Sequence, residues 1–117
     1  MTNYDSERRR QKALERLGSN NPKCALCPET NPHCLEQHHI AGRSFRDDVA
    51  ILCRNCHRKL SVAQGGHPSP ICTPPALEEQ AARFLFGLAD LLALLVQQLR
   101  RLAQELIDTL RQKVSQQ

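Results

Sequence analysis

The chain has 117 residues, 40% of them hydrophobic but only 3% aromatic, and a formal net charge of +4. That length leaves room for one compact domain with one appended element, and the shortage of large aromatic side chains excludes a thick conventional core. The excess charge sits in residues 1–66, which hold 11 Lys/Arg against 7 Asp/Glu, whereas residues 67–117 hold 5 of each. A basic half suits a polyanionic partner, and it equally suits an ordinary solvated surface.

In chain order, residues 5–17 are rich in helix formers, with Asp5 or Ser6 available as a cap and Gly18 as a stop. Only Ala13, Leu14 and Leu17 offer this helix an apolar face, so light docking is expected, and Arg8, Arg9, Arg10 and Lys12 make it basic. Asn20-Asn21-Pro22 breaks the pattern, and residues 23–34 are rich in turn formers. Residues 35–40 and 49–52 read as two short strands, and residues 53–64 as a helix stopped by Gly65-Gly66. Residues 65–75 contain Gly65, Gly66, Pro68, Pro70, Pro74 and Pro75, a linker stiffened by proline.

Residues 76–114 form one long helical pattern with Glu78 and Glu79 in the first turn, where the helix dipole favours them. Leu85, Leu88, Leu92, Leu95, Leu99, Leu102 and Leu106 alternate spacings of three and four, a heptad seam that Leu110 leaves by one position. Such a seam must be covered, either by folding back on the preceding domain or by pairing with a second copy. The most apolar stretch, residues 84–96, contains Asp90 and falls short of the roughly 20 residues a membrane span needs, so no membrane is expected. The chain thus divides into a basic N-terminal helix and turn (1–22), a central domain (23–64), a linker (65–75) and a long leucine-rich amphipathic helix (76–117).

Cys24-x2-Cys27 and Cys53-x2-Cys56 are separated by 25 residues. Each two-residue turn lets a pair of thiolates converge, and four thiolates close the tetrahedral sphere of a structural zinc ion. No secretory leader is visible, so the expected location is cytoplasmic, where paired cysteines bind metal more often than they form disulfides. Cys34 and Cys72 receive no role. His33 and His67 lie in turn-rich segments and are expected to be solvated.

Between and after the knuckles lie Leu35-Glu-Gln-His38-His39-Ile40-Ala-Gly-Arg43 and Leu52-Cys53-Arg-Asn-Cys56-His57-Arg-Lys59. Together with Cys24-Ala-Leu-Cys27, this order resembles the zinc-knuckle form of the HNH endonuclease family over residues 23–60. The resemblance implies a small α+β fold: a ββα-metal unit stapled by the four-cysteine zinc, flanked here by the N-terminal helix and the long C-terminal helix. It implies that His38 and His57 bind a catalytic divalent ion (Mg2+, Mn2+, Ni2+ or Zn2+) and that His39 is the general base. Asp48 stands where the family usually has Asn, and an ionised carboxylate accepts hydrogen bonds without donating them.

The implied activity is metal-dependent hydrolysis of DNA phosphodiester bonds, with Arg43, Arg46, Arg54, Arg58 and Lys59 as candidate phosphate contacts. Two other functions fit the same residues. One is a non-catalytic zinc-stapled DNA-binding module with a degenerate site, and the other is an interaction protein acting through its C-terminal helix. A homodimer through that helix would set two metal sites side by side.

Overall fold

A computed structural model of the chain describes residues 2–116. Helix α1 (Asn3–Leu17) starts at Thr2, whose hydroxyl accepts from the Asp5 N–H, so the cap lies earlier than Asp5 or Ser6. It ends where Gly18 turns left-handed with φ 72°. Its buried residues are Ala13, Leu14 and Leu17. The helix is fastened to the next layer by polar contacts at its end: Arg16 donates to the Pro32 and Leu35 carbonyls, and Gln37 donates to that of Leu17.

A short 3-10 turn (Pro32–Cys34) leads into strand β1 (Leu35–His39), which pairs antiparallel with β2 (Val49–Cys53). The register sets Leu35 against Cys53 and His39 against Val49. One further bond, Ile40 N–H to the Asp48 carbonyl, extends the hairpin past the last paired residues. Helix α2 (Arg54–Gln64) follows β2 without a loop, because Cys53 is both the last strand residue and the helix N-cap. The result is a ββα unit. Its core is thin: Leu17, Leu26, Leu35, Leu52 and Leu60, together with Cys24 and Cys56.

Helix α3 (Leu77–Ser115) folds back across this unit. Arg83, Gly87, Leu91, Leu94 and Gln98 form its docking face: Leu91 and Leu94 pack against the core, and Gln98 donates to the Leu26 carbonyl at 2.6 Å. Gly87 makes the closest approach, since a Cβ there would overlap the Ile40 carbonyl oxygen. Arg83 and Glu79 form a buried ion pair at 2.8 Å. Arg83 also donates to the carbonyls of Pro68 and Ser69 and stacks on Phe45, while the Glu79 carboxylate accepts from the Ile71 and Cys72 N–H groups. The proline-rich segment is therefore tied to α3 by its backbone polar groups.

The leucine seam is not what docks. At 100° per residue the docking face lies about 110° around the helix from the seam. Leu85, Leu99 and Leu106 stay 63%, 58% and 72% exposed, and residues 101–116 are exposed throughout. By length and composition alone, α3 is also long and apolar enough to cross a membrane, though Asp90 within it is bonded to His67.

The contact at Gly87 makes a sign-reversed prediction. In an exposed helix, Gly→Ala stabilises by about 1 kcal/mol. Here Gly87→Ala is expected to lower stability by about 1–3 kcal/mol through steric displacement of α3 from Ile40. Urea melting together with amide exchange across α3 would register both the loss and its location.

Candidate metal centres

Cys24 and Cys27 come from the turn before β1, and Cys53 and Cys56 from the β2–α2 junction. The four sulfurs lie within 4.8 Å of one another, and those of Cys27 and Cys53 are 3.6 Å apart. A tetrahedron with Zn–S bonds of about 2.3 Å has edges of about 3.8 Å, so the cluster has zinc dimensions. The Cys53 sulfur also accepts from the Cys56 N–H, joining the cap of α2 to the same cluster.

The thiols do not share charge evenly. Burial opposes ionisation of Cys24, but the backbone groups of Cys53 and Leu26 directed at its sulfur outweigh burial and bring it down to about 7. Burial and the neighbouring sulfurs push Cys27 up, and burial with the sulfurs of Cys53 and Cys24 pushes Cys56 up strongly. Four thiolates this close repel one another, and a divalent cation between them removes the repulsion. These residues fit zinc, and such an ion would pin the hairpin to the helix.

His38 and His57 form a second group at the hairpin–helix junction. Strand alternation puts Glu36 and His38 on one face of β1, and His57 on α2 meets both. The His57 Nδ1 is 2.7 Å from the Glu36 carboxylate, and the His38 and His57 rings lie edge to face with centroids 5.2 Å apart. An ionised carboxylate only accepts, so in that state of Glu36 the proton sits on Nδ1 and the Nε2 lone pair of His57 is left available. A carboxylate behind the far ring nitrogen is the usual support for a metal-ligating histidine. His38 is 2% exposed, and its Nε2 is buried with no hydrogen-bond partner. Burial, reinforced by the charges of His57 and His39, pushes its pKa down to about 4.

His39 is the last residue of β1, half-buried and paired with Val49, so the alternation that puts Glu36 and His38 on one face puts His39 on the other. Its carbonyl accepts from the Gly42 N–H and from the Gln64 side chain, which also reaches the Ile40 carbonyl. Asp48 does not join the histidines: its carboxylate is held by Arg46, which keeps it below the usual carboxylate range. What Asp48 gives the hairpin is its main-chain carbonyl, bonded to Ile40. Of the basic candidates, Arg54 pairs with Glu36 at 3.3 Å and Arg46 is engaged by Asp48, while Arg43, Arg58 and Lys59 are exposed. Glu36, Arg54, His57 and Arg58 line one open depression.

Several participants escape a reading of the sequence. Glu36 is legible from alternation, two residues before His38. His67 is not solvated: it bonds Asp90 of α3 at 2.7 Å and packs on Phe86. Asp90 is also near enough to act on the charge of His38, so α3 borders the histidine group. No local signal pairs residue 67 with residue 90. Comparison with family models, curated proteins and solved structures finds no match to this chain.

Purified protein is expected to carry one zinc per chain, and stripping it with a strong chelator should abolish the near-UV signature of a packed fold. Metal retention should fall with decreasing pH as the thiolates are reprotonated. Separately, His38 should remain neutral down to pH about 4 by NMR of its ring. The unfolded chain binds that proton near pH 6.5, so the stabilisation from neutral His38 is fully present above pH 6.5. It is lost as pH falls from there toward 4, and a His38→Phe variant should lack that component.

Proposed function

We propose that this chain is a metal-dependent nuclease of HNH type that hydrolyses DNA phosphodiester bonds. The observation that carries the reading is the pairing across the ββα unit: the orphaned, buried Nε2 of His38 on the strand beside His57 on the helix, which is backed by Glu36. Two neutral imidazoles fit a divalent ion, and two protein ligands leave room for phosphate and water around it. When bound, such an ion stabilises charge on the scissile phosphate and on the leaving oxygen.

The remaining work falls to the chain. His39, next to His38 in the chain, is the general base that takes the proton of the attacking water, a role that requires the end of β1 to turn its ring toward the His38–His57 side. Gln64 holds its carbonyl and so fixes the main chain from which the ring projects. Glu36 orients His57. The exposed Arg43, Arg58 and Lys59 supply charge for the DNA backbone.

A second reading has its own support. The Asp48 carboxylate is occupied by Arg46, so no side chain at that position orients the base. A zinc-stapled DNA-binding module with a degenerate site accommodates this.

Supercoiled plasmid incubated with the folded, zinc-loaded protein and Mg2+, Mn2+ or Ni2+ separates the two readings. The nuclease predicts metal-dependent nicking that His39→Ala lowers by about 100-fold or more without loss of zinc. DNA retention that weakens with salt, with no cleavage under any metal, would instead establish the binding module.

A further inference from the structure

The docking of α3 leaves its heptad seam uncovered, and we propose that the seam is the interface for a second copy of this chain. The two faces adjoin without coinciding, and Leu95, Leu99 and Leu102 share a hollow with residues 23–28 of the ββα unit. Arg83, Gly87, Leu91, Leu94 and Gln98 meet the ββα unit, and the leucines from 85 to 106 lie about 110° away around the helix. A partner helix can therefore take the seam from the Ala89–Val96–Ala103 side, and from either side past Gln98, where every residue is exposed.

The stripe is too large and too regular to be incidental. Apart from the half-buried Leu88, its members from Leu85 to Leu106 are 37–72% exposed. They run over about 32 Å of helix at 1.5 Å per residue. Together they present about 650 Å2, at the upper end of the largest apolar patch usual on a monomer and most of what each partner buries in a standard protein–protein interface. The last turns supply a second reason. Residues 101–116 are helical for almost their whole length, yet every one is exposed. In the isolated chain that segment gains nothing from tertiary packing, the usual source of helical stability in proteins.

The period identifies the occupant as a helix. Spacings that alternate three and four repeat every 3.5 residues, so the stripe winds by about 20° per heptad around a straight helix. A supercoiled partner helix follows that winding, while a flat lipid surface does not.

The flanks point to the chain itself. Beside the seam lie Ala89, Val96 and Ala103 on the open edge, and Glu105 on the other edge past the docked Leu91 and Gln98. With a single charge among them, nothing repels an identical helix and nothing selects a differently charged one. The pairing is then isologous, the same patch on both partners.

The test is the mass of the full zinc-loaded chain by sedimentation equilibrium at micromolar concentration. The expected result is twice the 13.2 kDa chain mass. Leu99→Glu with Leu106→Glu should raise the dissociation constant by about 100-fold or more, with zinc content unchanged. Gln97→Glu with Gln104→Glu adds the same charge to the polar face and should leave the dimer intact. Flotation with phosphatidylcholine/phosphatidylglycerol vesicles runs alongside.

A monomer that floats in a Leu99-dependent way would overturn the proposal in favour of a lipid surface. A monomer that does not float, a trimer or larger assembly, or a dimer indifferent to the leucine substitutions overturns it as well. None of these outcomes depends on whether the chain cuts DNA.

Discussion

Four sulfurs converge within a few ångströms from the turn before β1, the end of β2 and the first turn of α2, and a cation among them would tie the three together. The apolar core beside them is only a handful of leucines deep, which for a unit this short does little more than offset chain entropy. The sulfur cluster is therefore the constraint on which the rest depends. Cys53 carries it furthest, ending the strand, capping the helix and contributing to the cluster at once. Because no loop separates β2 from α2, the angle between hairpin and helix is set at that residue.

That angle determines whether His38 and His57 meet. One lies on a strand face and the other one residue past the second knuckle, and neither has a local reason to approach the other. The knuckle brings His57 over the strand, Glu36 turns its ring, and burial keeps His38 neutral. The two centres are mechanically linked but chemically different. The sulfur cluster gathers four donors, enough to close a tetrahedral sphere as a structural staple needs, whereas the histidine pair offers two ring nitrogens.

Much of this is legible from local pattern. The elements follow from turn residues and periodicity, and the four-cysteine cluster from two x2 spacings, because each depends on residues a few positions apart. The N-cap of α1 lies a few residues ahead of the expected one, since Thr2 precedes the helix formers that mark the segment. The larger differences are all long-range. His67 reads as a solvated loop residue until Asp90 arrives from α3, and Gln64 reads as the end of a helix until its amide meets the carbonyls of β1. The leucine seam is visible in the sequence, but it draws attention to the wrong face. The docking face is marked instead by a glycine and an arginine, residues that a hydrophobic pattern discounts.

Gly87 gives that last point a wider meaning. A glycine in mid-helix is a local defect, retained here because the Ile40 carbonyl occupies the space a methyl group would need. Selection acting on α3 is then split between two faces with different rules. On the docked face the absence of an atom is what must be inherited, and no substitution at position 87 can drift neutrally while the helix stays closed. On the seam, size and greasiness are all that count, so leucine, isoleucine and methionine can trade places. Diverged descendants of this chain would betray a docked α3 by an invariant glycine far more reliably than by any leucine.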